Sequence, residues 1–192
     1  MRSAVLGLAG DARARQLVDS LLDSQWPDGG WNCDRNPAAH HSSFHETLHP
    51  LWGLTEHARV TGDRDATRAA DRAADFFLDH RLFRSHTTGA VADEEWLDLH
   101  HPAYWHYDVL QGLLFLARHG SIRDPPAGEA LDLIEAKRRS DGTWAPEGRR
   151  YWKPPGSSGG GVEVVDWGRS GPNEMLTLNA LRVLRAAARL RF

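Results

Sequence analysis

Gln25-Trp26-Pro27-Asp28-Gly29-Gly30-Trp31 returns later in the chain as Arg138-Arg139-Ser140-Asp141-Gly142-Thr143-Trp144. Both copies place a long polar side chain four positions before a glycine and six before a tryptophan. An internal repeat of this kind decides the architecture before any single element is assigned. Each copy also closes an apolar-periodic segment. The segment from about Ala12 to Ser24 carries Leu17, Val18, Leu21 and Leu22 on one stripe, and Asp28-Gly29-Gly30 then breaks it. The segment from about Gly128 to Lys137 carries Leu131, Leu133 and Ile134. Between them, about Ala66 to His80 has the same period through Ala70, Ala73, Ala74, Phe77 and Leu78, but the motif is unrecognisable over His80 to Gly89.

A more apolar helix follows each loop. The first opens at Ser43 and runs through Leu48, Leu51, Trp52 and Leu54; the second opens at Pro102 and carries Trp105, Val109, Leu110, Leu113, Leu114 and Leu116. The third opens at Pro172 and carries Met175, Leu176, Leu178, Leu181, Val183 and Leu184. Proline suits a first helical turn, where its missing N–H costs nothing. With no sustained strand alternation, the reading is an all-α fold of stacked helical hairpins in one domain, 1–192. Its repeats cover about 11–63, 64–124 and 125–192. Residues 1–10 read as the tail of an incomplete preceding helix, which implies a fragment or abbreviated relative of a longer repeat protein.

Composition narrows the function classes. The 192 residues are 41% hydrophobic and 26% charged, enough for a globular core. Lys plus Arg number 23 against 26 acidic residues, a net charge of −3, which argues against nucleic acid as partner. The single cysteine, Cys33, excludes a disulfide scaffold and makes a reducing, cytoplasmic location the expectation. Val109 to Ala117, the longest strongly apolar stretch, is about half of what a spanning helix needs. Met1 to Gly10 has too short an apolar core for a signal peptide.

The Gln25…Gly29…Trp31 element resembles the Gln-Trp repeat of terpenoid (squalene) cyclases, with Arg138…Gly142…Trp144 as a degenerate copy. The chain is thus similar to the α/α-toroid superfamily of terpenoid cyclases and protein prenyltransferases. The resemblance implies a partial α/α toroid of about three hairpins, with inner helices whose N-termini face a cavity. It implies an isoprenoid or other extended apolar ligand, and pairing with a second copy or with the missing half of the toroid. In the motif, the Gln or Arg is expected to satisfy groups at helix ends while the Trp stacks on the next hairpin.

Candidate chemistry lies at the expected inner-helix starts. His45-Glu46-Thr47-Leu48-His49 fits the HExxH zinc-protease pattern, but Pro50 follows at once and is expected to kink the segment that must aim both ligands. Ser43-Phe44-His45-Glu46 also reads as a capping box. Residues 43–54 resemble the prenyltransferase β-subunit segment that carries a zinc-binding histidine, which maps to His45. Asp108, in Tyr104-Trp105-His106-Tyr107-Asp108, supplies a second Zn2+ ligand under that resemblance, and His49, His106 or Cys33 a third. In the cyclase branch Asp108 is the candidate acid. His45, Glu46, His106 and Asp108 are therefore the catalytic candidates, and His45, Asp108 and His49 the metal candidates. Phe44, Tyr104, Trp105, Trp167 and Glu174 are the candidates for contact with ligand, the aromatics serving either as cavity wall or as core.

Three further readings complete the list. Glu94-Glu95-Trp96-Leu97-Asp98 is either a diphosphate-magnesium cluster or solvated surface. Lys153 to Gly161 reads as a mobile loop that carries Glu163, Asp166 and Trp167 at its end. Two competing functions remain open: a carbohydrate-active enzyme with a carboxylate pair drawn from Glu46, Asp108 and Glu174, and a non-catalytic half-toroid interaction module.

Overall fold

The computed structural model describes residues 7–34, 36, 38–103, 106–147 and 171–190. The described residues form six α-helices: α1 (Ala12–Asp23), α2 (Phe44–Thr61), α3 (Arg64–Asp79), α4 (Val109–His119), α5 (Gly128–Ala136) and α6 (Glu174–Ala186). Two 3-10 turns, Glu94–Leu97 and Pro125–Ala127, lie in the connections. No strand forms among these residues, where an isolated antiparallel bridge joins Arg84 and Val91. The fold is all-α, and no described helix is long and apolar enough to cross a membrane.

α2, α4 and α6 make one row, with α4 touching both neighbours. α3 packs against α2 and α4, α1 packs against α3, and α5 packs against α4. The alternation of helices in sequence is therefore an alternation in space. α3 buries Ala66, Ala69, Ala70, Ala73 and Ala74, small side chains that let its axis approach α2 closely. The opposing wall comes from Leu48, Leu51 and Leu54 of α2 and Leu110, Leu113 and Leu116 of α4. Burying a leucine contributes about 1.5–3 kcal/mol, so this seam carries most of the cohesion of the first two hairpins. α2 and α4 are also tied by charge. The Glu56 carboxylate, almost fully buried, accepts from Arg118 Nε at 2.6 Å and from Arg59 Nη2 at 3.1 Å.

The row helices begin at Ser43, Asp108 and Asn173, which stand at equal sequence intervals. α4 thus starts six residues beyond the expected Pro102. Asp108 sets the boundary because its side chain accepts from Gln111 N at 2.9 Å, while His101-Pro102 is a cis peptide within the preceding loop. Pro172 likewise falls just outside α6, whose cap is Asn173, accepting from Leu176 N at 3.0 Å. α2 continues through Pro50, whose ring removes the N–H that would reach the Glu46 carbonyl.

The repeated motif is a clamp, with roles different from those expected. Trp31 Nε1 donates to Leu21 O at 2.9 Å, and Trp144 Nε1 donates to Ile134 O at 2.8 Å. Each acceptor is one of the carbonyls that the end of α1 or α5 leaves without an intrahelical partner. The same tryptophans take their backbone N–H bonds to Thr47 Oγ1 and Thr177 Oγ1, each at 3.0 Å, in the first turn of the next row helix. Gln25 crosses instead to the neighbouring helix, where its Nε2 donates to Ala69 O at 2.8 Å as well as to Gly29 O. Gly29 and Gly142 both need a left-handed backbone, with φ of +95° and +83°.

Candidate functional site

Phe44, the first residue of α2, is nearly inaccessible and gathers an aromatic cluster. Its ring centre lies 4.4 Å from Trp96, 5.1 Å from Phe76, 5.1 Å from Tyr107 and 5.2 Å from His80. Trp96 is delivered by the 3-10 turn Glu94–Leu97, which Asp93 caps by accepting from Glu95 N at 2.9 Å. The acid-rich run 94–98 thus positions an aromatic side chain. Above the cluster opens a groove of about 560 Å³ between the start of α2 and the end of α3. Phe44, Phe76 and Trp96 form its apolar surface, and its polar rim includes Asp28, Ser42, His45, Asp79, His80 and His86.

Beside the groove, a line of histidines runs across the starts of α2 and α4. The His45 and His106 rings are 6.3 Å apart, and His106 is 6.4 Å from His100. His100 Nδ1 donates to Asp108 Oδ2 at 2.9 Å. Asp108 is completely buried, and its other oxygen caps α4. Burial pulls His100 down, but the hydrogen bond and charge of Asp108 outweigh it and raise the pKa. Burial lowers His45 and His106, and the proximity of His100 lowers His106 further. The Tyr107 phenol, fully enclosed, is pushed well above its ordinary range and donates to Leu82 O at 2.6 Å.

The structure therefore brings together Phe44, His45 and His106, with Asp108 buried behind His100. Glu46 sits in the same first turn but is occupied: Cys33 Sγ donates to its Oε1 at 3.2 Å, and it also bonds the Ser43 side chain. These bonds outweigh the cost of its burial and hold its pKa below the usual glutamate range, while Glu46 raises that of the Cys33 thiol. The expected capping box does not form: the Ser43 side chain makes no cap bond to the helix, and the Ser43 backbone N–H donates to Trp31 O at 2.9 Å. His49 is exposed one turn on, edge-on to Phe115 at 6.2 Å. Glu174 is exposed at the start of α6. Tyr104, Trp105, Trp167, Glu163, Asp166 and the loop 153–161 lie outside the described residues.

The zinc set implied by the resemblance does not fit these side chains. Asp108 is sealed from the groove and holds both the α4 cap and His100. Among the described residues no group of three or more His, Cys, Asp or Glu converges as a metal centre. Asp108, Gln111 and the aspartate-histidine pair also show what the sequence reading missed. Asp108 with Gln111 three residues on is a helix-start signal, and it competes with Pro102 for the same helix. His100 had no local signature, because its partner is eight residues away across a loop.

Compared with known proteins, the chain matches no family model, no curated protein and no solved structure.

Proposed function

We propose that the chain is a partial α/α toroid of the terpenoid-cyclase and prenyltransferase type, binding an extended apolar ligand such as an isoprenoid. The observation that carries this reading is the aromatic cluster, in which the part-exposed Trp96 lines, with the nearly buried Phe44 and Phe76, a groove large enough for a small ligand. The two-layer alternation of helices and the repeated Trp clamp support the toroid. A second copy of the chain would complete it. His45 on the groove rim and His106 beside it are imidazoles able to accept a proton, and burial holds both below the usual histidine range. The buried Asp108–His100 pair orients the loop that carries His106.

The test is titration of farnesol and geranylgeraniol into the native chain, read by tryptophan fluorescence and calorimetry. Saturable binding, weakened about tenfold by Trp96→Ala, is the expected result, since a large aromatic contact is worth about 1–1.5 kcal/mol or more. Absence of saturable binding to both alcohols overturns the isoprenoid reading. A parallel oligosaccharide titration examines the carbohydrate alternative, which the polar rim of Asp28, Ser42 and Asp79 favours.

A further inference from the structure

We propose that His80 and His86, at the mouth of the groove, form a binding site for a borderline divalent transition-metal ion such as Zn2+ or Ni2+. The site uses neither His45, which lines the same groove, nor His106. The two rings have centres 5.8 Å apart at an interplanar angle of 47°. A metal bound through one nitrogen of each imidazole, at about 2.0–2.1 Å, places the ring centres at about this separation.

The protonation pattern of His80 is already that of a ligand. Its Nδ1 lies 2.7 Å from the Phe76 carbonyl, which only accepts, so in the neutral ring Nδ1 carries the proton and Nε2 keeps its lone pair. A backbone carbonyl holding the far nitrogen is the usual outer partner of a metal-binding histidine. The ring is also fixed by Phe76 at 4.6 Å and Phe44 at 5.2 Å. His86 is exposed, on a turn closed by Ser85 N donating to Ala90 O and Gly89 N donating to Ser85 O, both at 2.8 Å.

Charge at the site favours a cation. His80 caps the carbonyl end of α3, a 16-residue helix with no basic side chain in its last turn, and Asp79 lines the same groove. The nearby cations are already answered: Arg84 Nε donates to both oxygens of Glu129, at 3.0 and 2.8 Å, and Arg81 lies 3.9 Å from that carboxylate. Two imidazole nitrogens select Zn2+, Ni2+ or Cu2+ over Mg2+ or Ca2+. Water would fill the remaining coordination positions.

The experiment is calorimetric titration of Zn2+ and Ni2+ into the untagged chain at pH 7.5, with Mg2+ as control. One ion per chain is expected, with affinity reduced about tenfold or more by His80→Gln and by His86→Gln. The exposed position of His86 keeps that variant folded. His45→Gln with His106→Gln leaves the binding unchanged. Absence of saturable binding, binding that survives His86→Gln, or binding lost instead with His45 and His106 overturns the proposal.

Discussion

The turns after α1 and α5 are close copies, whereas the loop after α3 reaches the same end with different residues. In the copies, a tryptophan indole caps the helix and a threonine one turn into the next row helix holds the tryptophan backbone. After α3, the carbonyl of Phe77 is taken by Leu82 N at 2.8 Å, with Arg81 and Leu82 both at positive φ. The position corresponding to Thr47 and Thr177 is Gly112, and the Tyr107 hydroxyl fills the space, donating to Leu82 O. With the compact clamp replaced, the loop after α3 brings His86 and Trp96 to the groove, and His100 and His106 stand beside it. The groove forms where the start of α2, in the first repeat, meets the irregular loop of the middle one.

The largest effect is expected at the clamps. Trp144 is fully enclosed, so Trp144→Ala should cost about 3–5 kcal/mol from the lost packing and the uncapped carbonyl. Trp31→Ala should follow it closely, because each bond has its counterpart. Urea denaturation followed by circular dichroism measures both. A cost below about 1 kcal/mol at either site would show that the two copies are alike in geometry but unequal in strength.

The middle repeat breaks differently. A Cβ on Gly112 would run into the Tyr107 hydroxyl, with Leu82 Cδ2 only 3.1 Å away. Gly112→Ala is therefore expected to destabilise by about 1–3 kcal/mol. Tyr107→Phe leaves the Leu82 carbonyl without its donor, for about 1–3 kcal/mol alone. In that background Gly112→Ala should cost clearly less, because the obstructing oxygen is gone. A double-mutant cycle with additive costs would refute the substitution of tyrosine for threonine.

That contrast also explains what the sequence discloses. The outer clamps were legible because the same residue types recur at the same spacing, and the apolar periods around them located the six helices of the described residues. Tyr107 with Gly112 was not legible, since one hydroxyl replaces another from a different chain position. The capping role falls to Trp31 and not to Gln25, because spacing shows that the two cooperate, not which atom reaches which carbonyl. His45, His106 and Asp108 were found at helix starts, yet Asp108 is turned into the protein by the cap it makes. Such direction is a property of the folded loop rather than of any motif.

A smaller effect separates the middle repeat by pH. His100 is raised by Asp108 above its unfolded value of about 6.5. Its contribution to stability is therefore fully present below pH 6.5 and is lost as pH rises through the folded value. Burial lowers His45, His101 and His106, so their contribution has the opposite sign: it is present above pH 6.5 and falls away as pH drops toward their folded values. Asp108→Asn keeps a competent helix cap but removes the charge facing His100. Its destabilisation, from urea midpoints, should be larger at pH 5.5 than at pH 8. Trp144→Ala should show no such dependence, because its hydrogen bond and packing involve no titrating group. Equal costs for Asp108→Asn at both pH values would mean that the His100 pair contributes through shape alone, leaving His45 and His106 to set the response of the groove to acid.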